Sequence, residues 1–291
     1  MNEVVFQSPF GEWRFTTCAP PADLAPFIDS FWETQGTVGY GYEKLLPSGT
    51  AEFMVNLGPS QVVLQRPTGE KPATFQDAWL SGIQDAPLFT APAHGTDFFT
   101  THFVSASLKP EGVCEFFGVD AIDTARRVIN AEDLVGQCIR SLRDRVGEAP
   151  SAEFRFAALS DFLRVQRLSS ARPAPFAAVW AMGRTLALQG DLRVDDLCSE
   201  LGISRKHLNN IYKSSTGLSP KTYARLTRFR SIVDRIQGPL ESWVGIAADK
   251  GYFDQAHLIR DFKQFAGETP NSFLRNRGPD GESVNFADLP D

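Results

Sequence analysis

An element that occurs twice constrains the fold of this chain more than any other feature of its sequence. Ile203–Pro220 reads ISRKHLNNIYKSSTGLSP, and Phe253–Pro270 reads FDQAHLIRDFKQFAGETP. Both stretches carry His-Leu, an aromatic-Lys pair, a Gly and a Pro at the same internal spacings. A pattern that recurs inside one chain indicates a structural unit that is used twice.

The residues before each stretch predict a helix followed by a tight turn. In the first copy Gly202 suits a turn at positive φ, and Ser204 suits the N-cap of the next helix. Gly251 and Asp254 take the corresponding places in the second copy. Helix, glycine turn and capped helix make up a helix-turn-helix unit.

The second helix of each unit divides by periodicity into an apolar face and a polar face. In the first copy Leu208, Ile211 and Tyr212 are predicted to point inward. The opposite face suits a DNA major groove, because Asn can pair with adenine edges and Lys with guanine or phosphate. We predict that bases are read by Lys206, Asn209, Asn210, Gln255, Ala256, Ile259 and Arg260. We predict contacts to the DNA backbone from Ser204, Arg205, Lys213, Asp254 and Lys263.

The two units are not equivalent. Ala256 and Ile259 can touch only apolar groups such as a thymine methyl. The second unit is therefore predicted to contact the DNA backbone more than it recognises bases. Between the units, Tyr223–Ile236 predicts a long helix that holds them at a fixed separation. Because one duplex turn spans about 34 Å, two linked units could enter successive major grooves.

Charge is distributed unevenly along the chain. The net charge is −6, yet residues 176–277 carry 15 Lys and Arg against 10 Asp and Glu, a net of +5. Residues 1–175 carry 14 against 21, a net of −7. This asymmetry favours a polyanionic partner for the repeat-bearing part alone.

Composition divides the chain into five regions and predicts an α+β protein. Residues 1–110 contain short strand patterns separated by Gly and Pro turns, which predicts a β-rich, barrel-like domain. Residues 111–168 predict a helical extension that covers the barrel or lines a dimer, residues 169–175 a linker, residues 176–277 an all-α domain and residues 278–291 an acidic, disordered tail. The apolar faces predicted for the extension consist of Val135, Ile139, Leu142 and Val146, and of Phe154, Ala158, Leu159, Phe162 and Leu163.

The repeated motifs resemble the DNA-binding domain of AraC/XylS-type transcription regulators. The resemblance is carried by Gly-Ile-Ser-x-x-x-Leu-x-x-x-Tyr-Lys-x-x-x-Gly-x-Ser-Pro and by Ile-Ala-x-x-x-Gly-Tyr-x-Asp-Gln-x-x-Leu-x-x-x-Phe-Lys-x-x-x-Gly-x-Thr-Pro. It implies seven helices, two helix-turn-helix units joined by a linker helix, promoter binding, and base contacts at the positions named above. The chain departs from the family pattern at Ile232, Leu274 and Ile259, and the last departure weakens base reading by the second unit.

The first half of the chain resembles, more weakly, a sensor-like domain that is fused to this module. The motifs are LPSGTAEFMVNLG, LKPEGVCEFFGV and INAEDLVG. The resemblance implies a cupin-like barrel with a helical extension and implies no particular ligand. Phe53, Phe98, Phe99 and Phe103 would line an effector pocket or pack the barrel core.

Enzymatic alternatives find little support in the residues. A metal site requires clustered His and carboxylate groups. The only histidines of this half are His94 and His102, which lie eight residues apart with Asp97 between them. Cys18 lacks the Pro-Cys-His-Arg motif that alkyl-transfer repair proteins share, and neither Gly-x-Ser-x-Gly nor a phosphate loop occurs. We therefore predict no catalytic residue, metal or cofactor. An enzyme, or an effector-binding interaction protein with a degenerate helix-turn-helix module, stays the alternative.

The remaining sequence features concern location and partners. No run of about 18 apolar residues and no secretory signal occurs, and the four cysteines are scattered, which fits a reducing cytoplasm. We predict a cytoplasmic, sequence-specific regulator, for example an activator, that binds double-stranded promoter DNA and no membrane. A small-molecule effector, a homodimer and RNA polymerase stay open as further partners.

Overall fold

The computed structural model describes residues 1–65, 72–93, 98–170, 175–237, 242–281 and 283–287. Its first part is built from strands. These are β1 (Asn2–Ser8), β2 (Gly11–Cys18), β3 (Ile28–Val38), β4 (Tyr42–Leu45), β5 (Ala51–Asn56), β6 (Gln61–Gln65), β7 (Ala73–Phe75), β8 (Ala78–Ser81), β9 (Leu88–Pro92) and β10 (Phe99–Leu108). Strand β10 ends two residues before position 110, and the domain boundary predicted there stays a prediction.

A helical extension follows the strands. It consists of α1 (Gly112–Phe117), α2 (Ala121–Thr124), a short strand β11 (Val128–Asn130), α3 (Ala131–Val135), α4 (Cys138–Glu148) and α5 (Ala152–Ser170). Helix α5 runs two residues into the predicted linker, and residues 171–174 of that linker lie outside the described residues.

The last part of the chain is helical, as predicted. Its helices are α6 (Phe176–Ala187), α7 (Val194–Leu201), α8 (Arg205–Thr216), α9 (Pro220–Arg235), α10 (Trp243–Asp249), α11 (Gln255–Ala266) and α12 (Pro270–Asn276). Within the described ranges these are the seven helices that the resemblance implied. The α+β fold class is confirmed.

The strands form two antiparallel sheets that face each other. The seven-stranded sheet has the order β1-β2-β3-β10-β5-β8-β11. The five-stranded sheet has the order β12-β4-β9-β6-β7, in which β12 is the last strand of the chain, Ser283–Phe286. Strand β5 shows how the larger sheet is used on both faces. Phe53 is fully buried and its ring stacks on Phe162 of α5 at 5.8 Å, whereas Glu52 lines a cavity between the sheets. The extension therefore covers the outer face of this sheet.

Strand β12 (Ser283–Phe286) corrects the expectation of a disordered tail. It pairs antiparallel with β4, from Ser283 opposite Leu45 to Phe286 opposite Tyr42. The rings of Phe286 and Tyr42 stack at 4.3 Å, and Val284 is 1% exposed. The acidic composition concealed this strand, because an SVNF segment gains its stability from a partner edge that is remote in sequence.

One predicted face of the extension is also corrected. Ile139, Leu142 and Val146 of α4 are buried as predicted, and so are Leu159, Phe162 and Leu163 of α5. Phe154 is 58% exposed, however, and Phe156 is buried in its place at 4%. The prediction for Phe154 is wrong because the ring of Phe156 has a partner in Phe31 of β3, at 5.9 Å.

Candidate nucleic-acid interface

The first helix-turn-helix unit consists of α7 and α8. Gly202 ends α7 in the left-handed region at φ 65°, and the Ser204 hydroxyl accepts a hydrogen bond from the His207 amide at 3.2 Å. Leu208 and Tyr212 are fully buried. The turn, the cap and the inward face of this unit are therefore as the sequence predicts, which leaves the opposite face of α8 outermost.

Tyr212 anchors α8 on α6. Its hydroxyl lies 2.5 Å from the Thr185 hydroxyl and donates to the Ala181 carbonyl at 3.3 Å. Burial raises the pKa of Tyr212 to about 12, so the phenol stays neutral. Helix α6 thus helps to hold α8 in place, and the sequence patterns did not single out this helix.

The outer face of α8 carries residues that are predicted to contact DNA. Lys206, Asn210 and Lys213 are exposed and Asn209 is half-buried. None of these four side chains has a hydrogen bond or an ion pair with another residue in the described part of the chain. Arg205 differs, because its guanidinium holds both oxygens of Asp195 at 2.6 Å. A phosphate contact by Arg205 would have to replace this ion pair.

The second unit consists of α10 and α11. Gly251 takes the turn at φ 67°, and an Asp254 carboxylate oxygen accepts a hydrogen bond from the His257 amide at 2.6 Å. This cap accounts for Asp254 without DNA, and its predicted backbone contact stays a prediction. Of the remaining predicted contacts, Ala256, Arg260 and Lys263 are exposed, while Gln255 and Ile259 are half-buried.

Two arginines of helix α9 hold the second unit and the turn that precedes α7. Arg225 Nη2 donates to Asp261 Oδ1 of α11 at 2.7 Å, and Asp261 is 2% exposed. Arg228 donates to the Gly190 carbonyl at 3.0 Å, and its guanidinium lies 5.1 Å from the centre of the Tyr252 ring. Sequence reasoning missed Asp261, whose only signal was an acid at an inward position of an amphipathic helix.

The helix-turn-helix part packs directly on the first domain. Gly217 ends α8 at φ 72°, and a Cβ there would lie 2.1 Å from the Cβ of Ala125, just after α2. Lys44 of β4 forms an ion pair with Glu268. Glu111 is 4% exposed in the loop before α1, and burial raises its pKa to about 7. The helix-turn-helix part and the first domain thus pack so closely at Gly217 that a larger residue there would collide with Ala125.

A cavity of about 720 Å³ lies between the two sheets. Its wall includes residues on one face of α9, namely Tyr223, Thr227, Arg230 and Asp234. Of the four phenylalanines that were candidates for a pocket, Phe103 alone lines this cavity, whereas Phe53 is in the core and Phe98 is 64% exposed. The cavity therefore borders the helix that joins the two units.

The candidate metal ligands do not come together in the described residues. His102 Nε2 lies 2.6 Å from Glu33 Oε1, which also pairs with Arg155 at 2.8 Å. His94 and Asp97 lie outside the described residues. In the ranges that the structure describes, no group of three or more His, Cys, Asp or Glu is arranged to hold a metal, and no helix is long and apolar enough to cross a membrane.

Two family models match this chain. Residues 16–130 match a domain of unknown function (DUF6597), and residues 197–276 match a helix-turn-helix domain. Two curated relatives match part of the chain. The Msm operon regulatory protein of Streptococcus mutans is 32% identical over 84 residues, and the probable transcription factor PqrA of Proteus vulgaris is 29% identical over 85 residues.

The extent of these matches differs. The alignments cover 29% of this chain in both cases, 30% of the Msm regulator and 70% of PqrA. The chain thus matches about a third of the length of the first relative. Among solved structures, ToxT of Vibrio cholerae is similar over 84% of this chain and 98% of its own, with a TM-score of 0.50 at 10% identity, which shows a shared fold. Over residues 197–276 the chain therefore carries a helix-turn-helix domain of the AraC/XylS type.

Proposed function

We propose that this protein is a sequence-specific, DNA-binding transcription regulator of the cytoplasm that places α8 and α11 in successive major grooves of a promoter. The observation that carries the proposal is the outer face of α8. Lys206, Asn210 and Lys213 are exposed there and have no side-chain partner among the described residues, while the inner face is buried. Such a face suits base edges and phosphates.

Charge supports the same function. The region that holds both units has a net charge of +5 in a chain whose net charge is −6. Lys206, Lys213 and Lys263 all lie exposed on the two outer faces. The positive charge of this region is thus concentrated, in part, where a phosphate backbone would pass.

Control by a small molecule is the second part of the proposal. The cavity between the sheets has the volume of a typical ligand site, and helix α9 contributes to its wall. ToxT, which shares the fold, has been solved bound to (E)-4-(8-methylnaphthalen-1-yl)but-3-enoic acid. An effector in the cavity would touch the helix that spaces the two units.

Homodimerisation and contact with RNA polymerase complete the proposal. Helix α5 exposes Phe154, Val165 and Leu168 on one stripe, at 58%, 57% and 84%. Apolar side chains at this spacing suit a second copy of the helix. Sedimentation of the protein would test this, and Leu168→Glu should shift a dimer toward monomer without changing the far-UV circular dichroism.

The central experiment is a salt titration of DNA binding. Genome-wide mapping of bound sites would supply promoter fragments, and gel shifts would then measure affinity between about 50 and 200 mM salt. We expect log affinity to fall with log salt by about 0.9 for each neutralised phosphate. The matched control is Glu148→Gln on α4, which is exposed and distant from both outer faces. Absence of binding to any mapped fragment at low salt would contradict the proposal.

A further inference from the structure

The cavity between the sheets has an acidic wall. Its lining includes five carboxylates, Asp29, Glu43, Glu52, Asp234 and Asp280, against two cations, Lys109 and Arg230. Both cations have partners already. Lys109 donates to the Ala25 carbonyl at 2.7 Å, and Arg230 pairs with Asp234 at 3.3 Å. Carboxyl groups therefore outnumber cationic groups in the wall that an incoming ligand meets.

Glu52 is a structural part of this wall. Its carboxylate accepts hydrogen bonds from Trp32 Nε1 at 3.0 Å, Thr50 Oγ1 at 2.9 Å, Ser105 Oγ at 3.1 Å and Ser107 Oγ at 2.9 Å. Four donors satisfy the lone pairs of one carboxylate almost completely. Glu52 therefore holds three strands together and has little capacity left for a ligand.

Glu43 is placed differently. It lies on β4, opposite Asn285 of β12, and it lines the cavity together with Tyr40 and Ser283. Asp280 lies near it and accepts from the Ser283 hydroxyl at 2.9 Å. No cation in the described part of the chain pairs with Glu43. Burial and the charge of Asp280 raise the pKa of Glu43 to about 7, as expected of a carboxylate without a counter-ion.

Aromatic rings surround this carboxylate pair. The cavity is lined by Trp13, Trp32, Tyr40, Phe75, Trp79 and Phe103. The faces of Trp and Tyr rings attract organic cations, and their area suits an apolar ligand body. Gln61, 6% exposed in the same wall, has an amide nitrogen without a partner among the described residues. This amide is a donor, so an oxygen acceptor on the body of a ligand would satisfy it.

We propose that the cavity binds an organic cation, an amine with an aromatic or other apolar body, and that its ammonium group pairs with Glu43, beside Asp280. The proposal rests on the effector function proposed above and assigns it a ligand class. A carboxylic acid would place a further acidic group against these two, so the site selects against acids of the same shape.

The position of the carboxylate pair links the ligand to the DNA-binding part. Asp280 and Ser283 belong to the segment that enters β12, directly after the last helix of that part. The Gln237 side chain, just beyond α9, donates to the Gly281 carbonyl at 2.8 Å in the same segment. An ammonium group at Glu43 therefore contacts a strand that is tied to α9.

The test uses three probes that share one body and differ in charge. Full-length protein is titrated with 2-phenylethylamine, 2-phenylethanol and 3-phenylpropanoate, and binding is followed by calorimetry and by fluorescence of the tryptophans in the wall. We expect the amine to bind at least about tenfold more tightly than the alcohol, which is the gain of one charge-assisted hydrogen bond, and the acid to bind most weakly. 4-Phenylbutylamine extends the test to a longer body.

Substitutions then locate the ammonium group. Glu43→Gln keeps the hydrogen-bonding shape, and it should weaken amine binding about tenfold while leaving the alcohol unchanged. Asp280→Asn is a second variant with the same expected direction, should Glu43→Gln fold poorly. Glu148→Gln, outside the cavity, is the matched control and should bind like the wild type.

The outcomes separate this inference from the regulator function. Equal or tighter binding of the acid, equal amine binding by Glu43→Gln, or binding of neither amine would overturn it. Promoter binding is measured in parallel without any probe. If DNA binding fails while the amine binds through Glu43, the ligand class stands and the regulator proposal falls; the reverse pattern overturns the ligand class alone.

Discussion

At the scale of single residues, the DNA contacts proposed for the outer face of α8 are of two kinds, to bases and to phosphates. Asn210 and Lys213 are both exposed, lie one turn apart and have no side-chain partner among the described residues. An amide can pair with one base in two ways, whereas an ammonium group acts as a point charge on the backbone. Substituting each residue should therefore have different consequences for specificity.

Asn210→Ala should weaken binding by about 1–3 kcal/mol at one base position and leave the other positions unchanged. Lys213→Ala should weaken binding evenly across sequences and lower the salt slope by about 1. Gel shifts with a set of single-base operator variants measure both. A uniform loss for Asn210→Ala would make it a positioning residue instead.

Tyr212→Phe should lower the free energy of unfolding by about 1 kcal/mol. The change removes the hydroxyl that contacts Thr185 at 2.5 Å and Ala181 at 3.3 Å in a buried place. Urea denaturation measures the loss. The double variant with Thr185→Val serves as the control, because its cost should be less than the sum of the two single costs if the hydroxyls form one network.

The sequence predicted the N-caps of helices more accurately than it predicted which helix faces are buried. Ser204 and Asp254 cap their helices as predicted, because capping needs only local hydrogen bonds. Phe154 and Phe156 in α5 were not told apart, because their burial depends on what lies opposite, here Phe31 of a distant strand. The same reason explains why Glu43 was missed: its partner Ser283 is 240 residues away in the sequence.

At the scale of elements, helix α9 determines how the two units are spaced. Its contact with α11 depends on Arg225, which holds the buried carboxylate of Asp261, and its contact with the turn before α7 depends on Arg228. The sequence predicted a long helix between the units from its apolar face, and that face is buried: Tyr223, Leu226, Ile232, Val233 and Ile236 are at most 1% exposed. The hydrogen bonds of its arginines were not predictable from the sequence, since an arginine has many candidate partners.

Asp261→Asn should lower the free energy of unfolding by about 1–3 kcal/mol, because it removes the charge that Arg225 holds in a buried setting. With the second unit loosened, the protected region in a DNase footprint should shorten at the α11 end. Asp195→Asn breaks an exposed ion pair and is the matched control, and it should cost less stability than Asp261→Asn. A full-length footprint for Asp261→Asn would contradict this function of the ion pair.

At the scale of the whole molecule, one hydrophobic cluster runs through both parts. It includes Phe53 and Phe116 of the first part and Tyr223 and Phe229 of the second. A shared core predicts that both parts unfold together. The sequence indicated the two parts and their order correctly, but it indicated nothing of this contact, since composition marks a boundary and says little about what packs across it.

Glu111, buried near the contact between the parts, makes stability depend on pH. Its pKa is about 7 in the folded chain and about 4.5 when unfolded, so the folded state keeps a proton that the unfolded state loses between these values. The free energy of unfolding should therefore fall as pH rises from about 5 to 8. Glu43 shifts in the same direction and adds to the trend.

Glu111→Gln removes one of these two contributions. Between pH 5 and pH 8 the free energy of unfolding should fall by about 1–3 kcal/mol less in the variant than in the wild type, as measured by urea denaturation. Glu148→Gln should follow the wild-type curve. An unchanged pH dependence in Glu111→Gln would show that the carboxyl group ionises alike in both states.

The pairing of β12 with β4 has a topological consequence. After it has built the helix-turn-helix units, the chain returns to the five-stranded sheet and completes its edge. In connectivity, the helix-turn-helix part is thus an insertion between two segments of one β domain. A single cut between α5 and α6 would not divide the protein into its two parts, because each fragment would retain a strand that the other one needs.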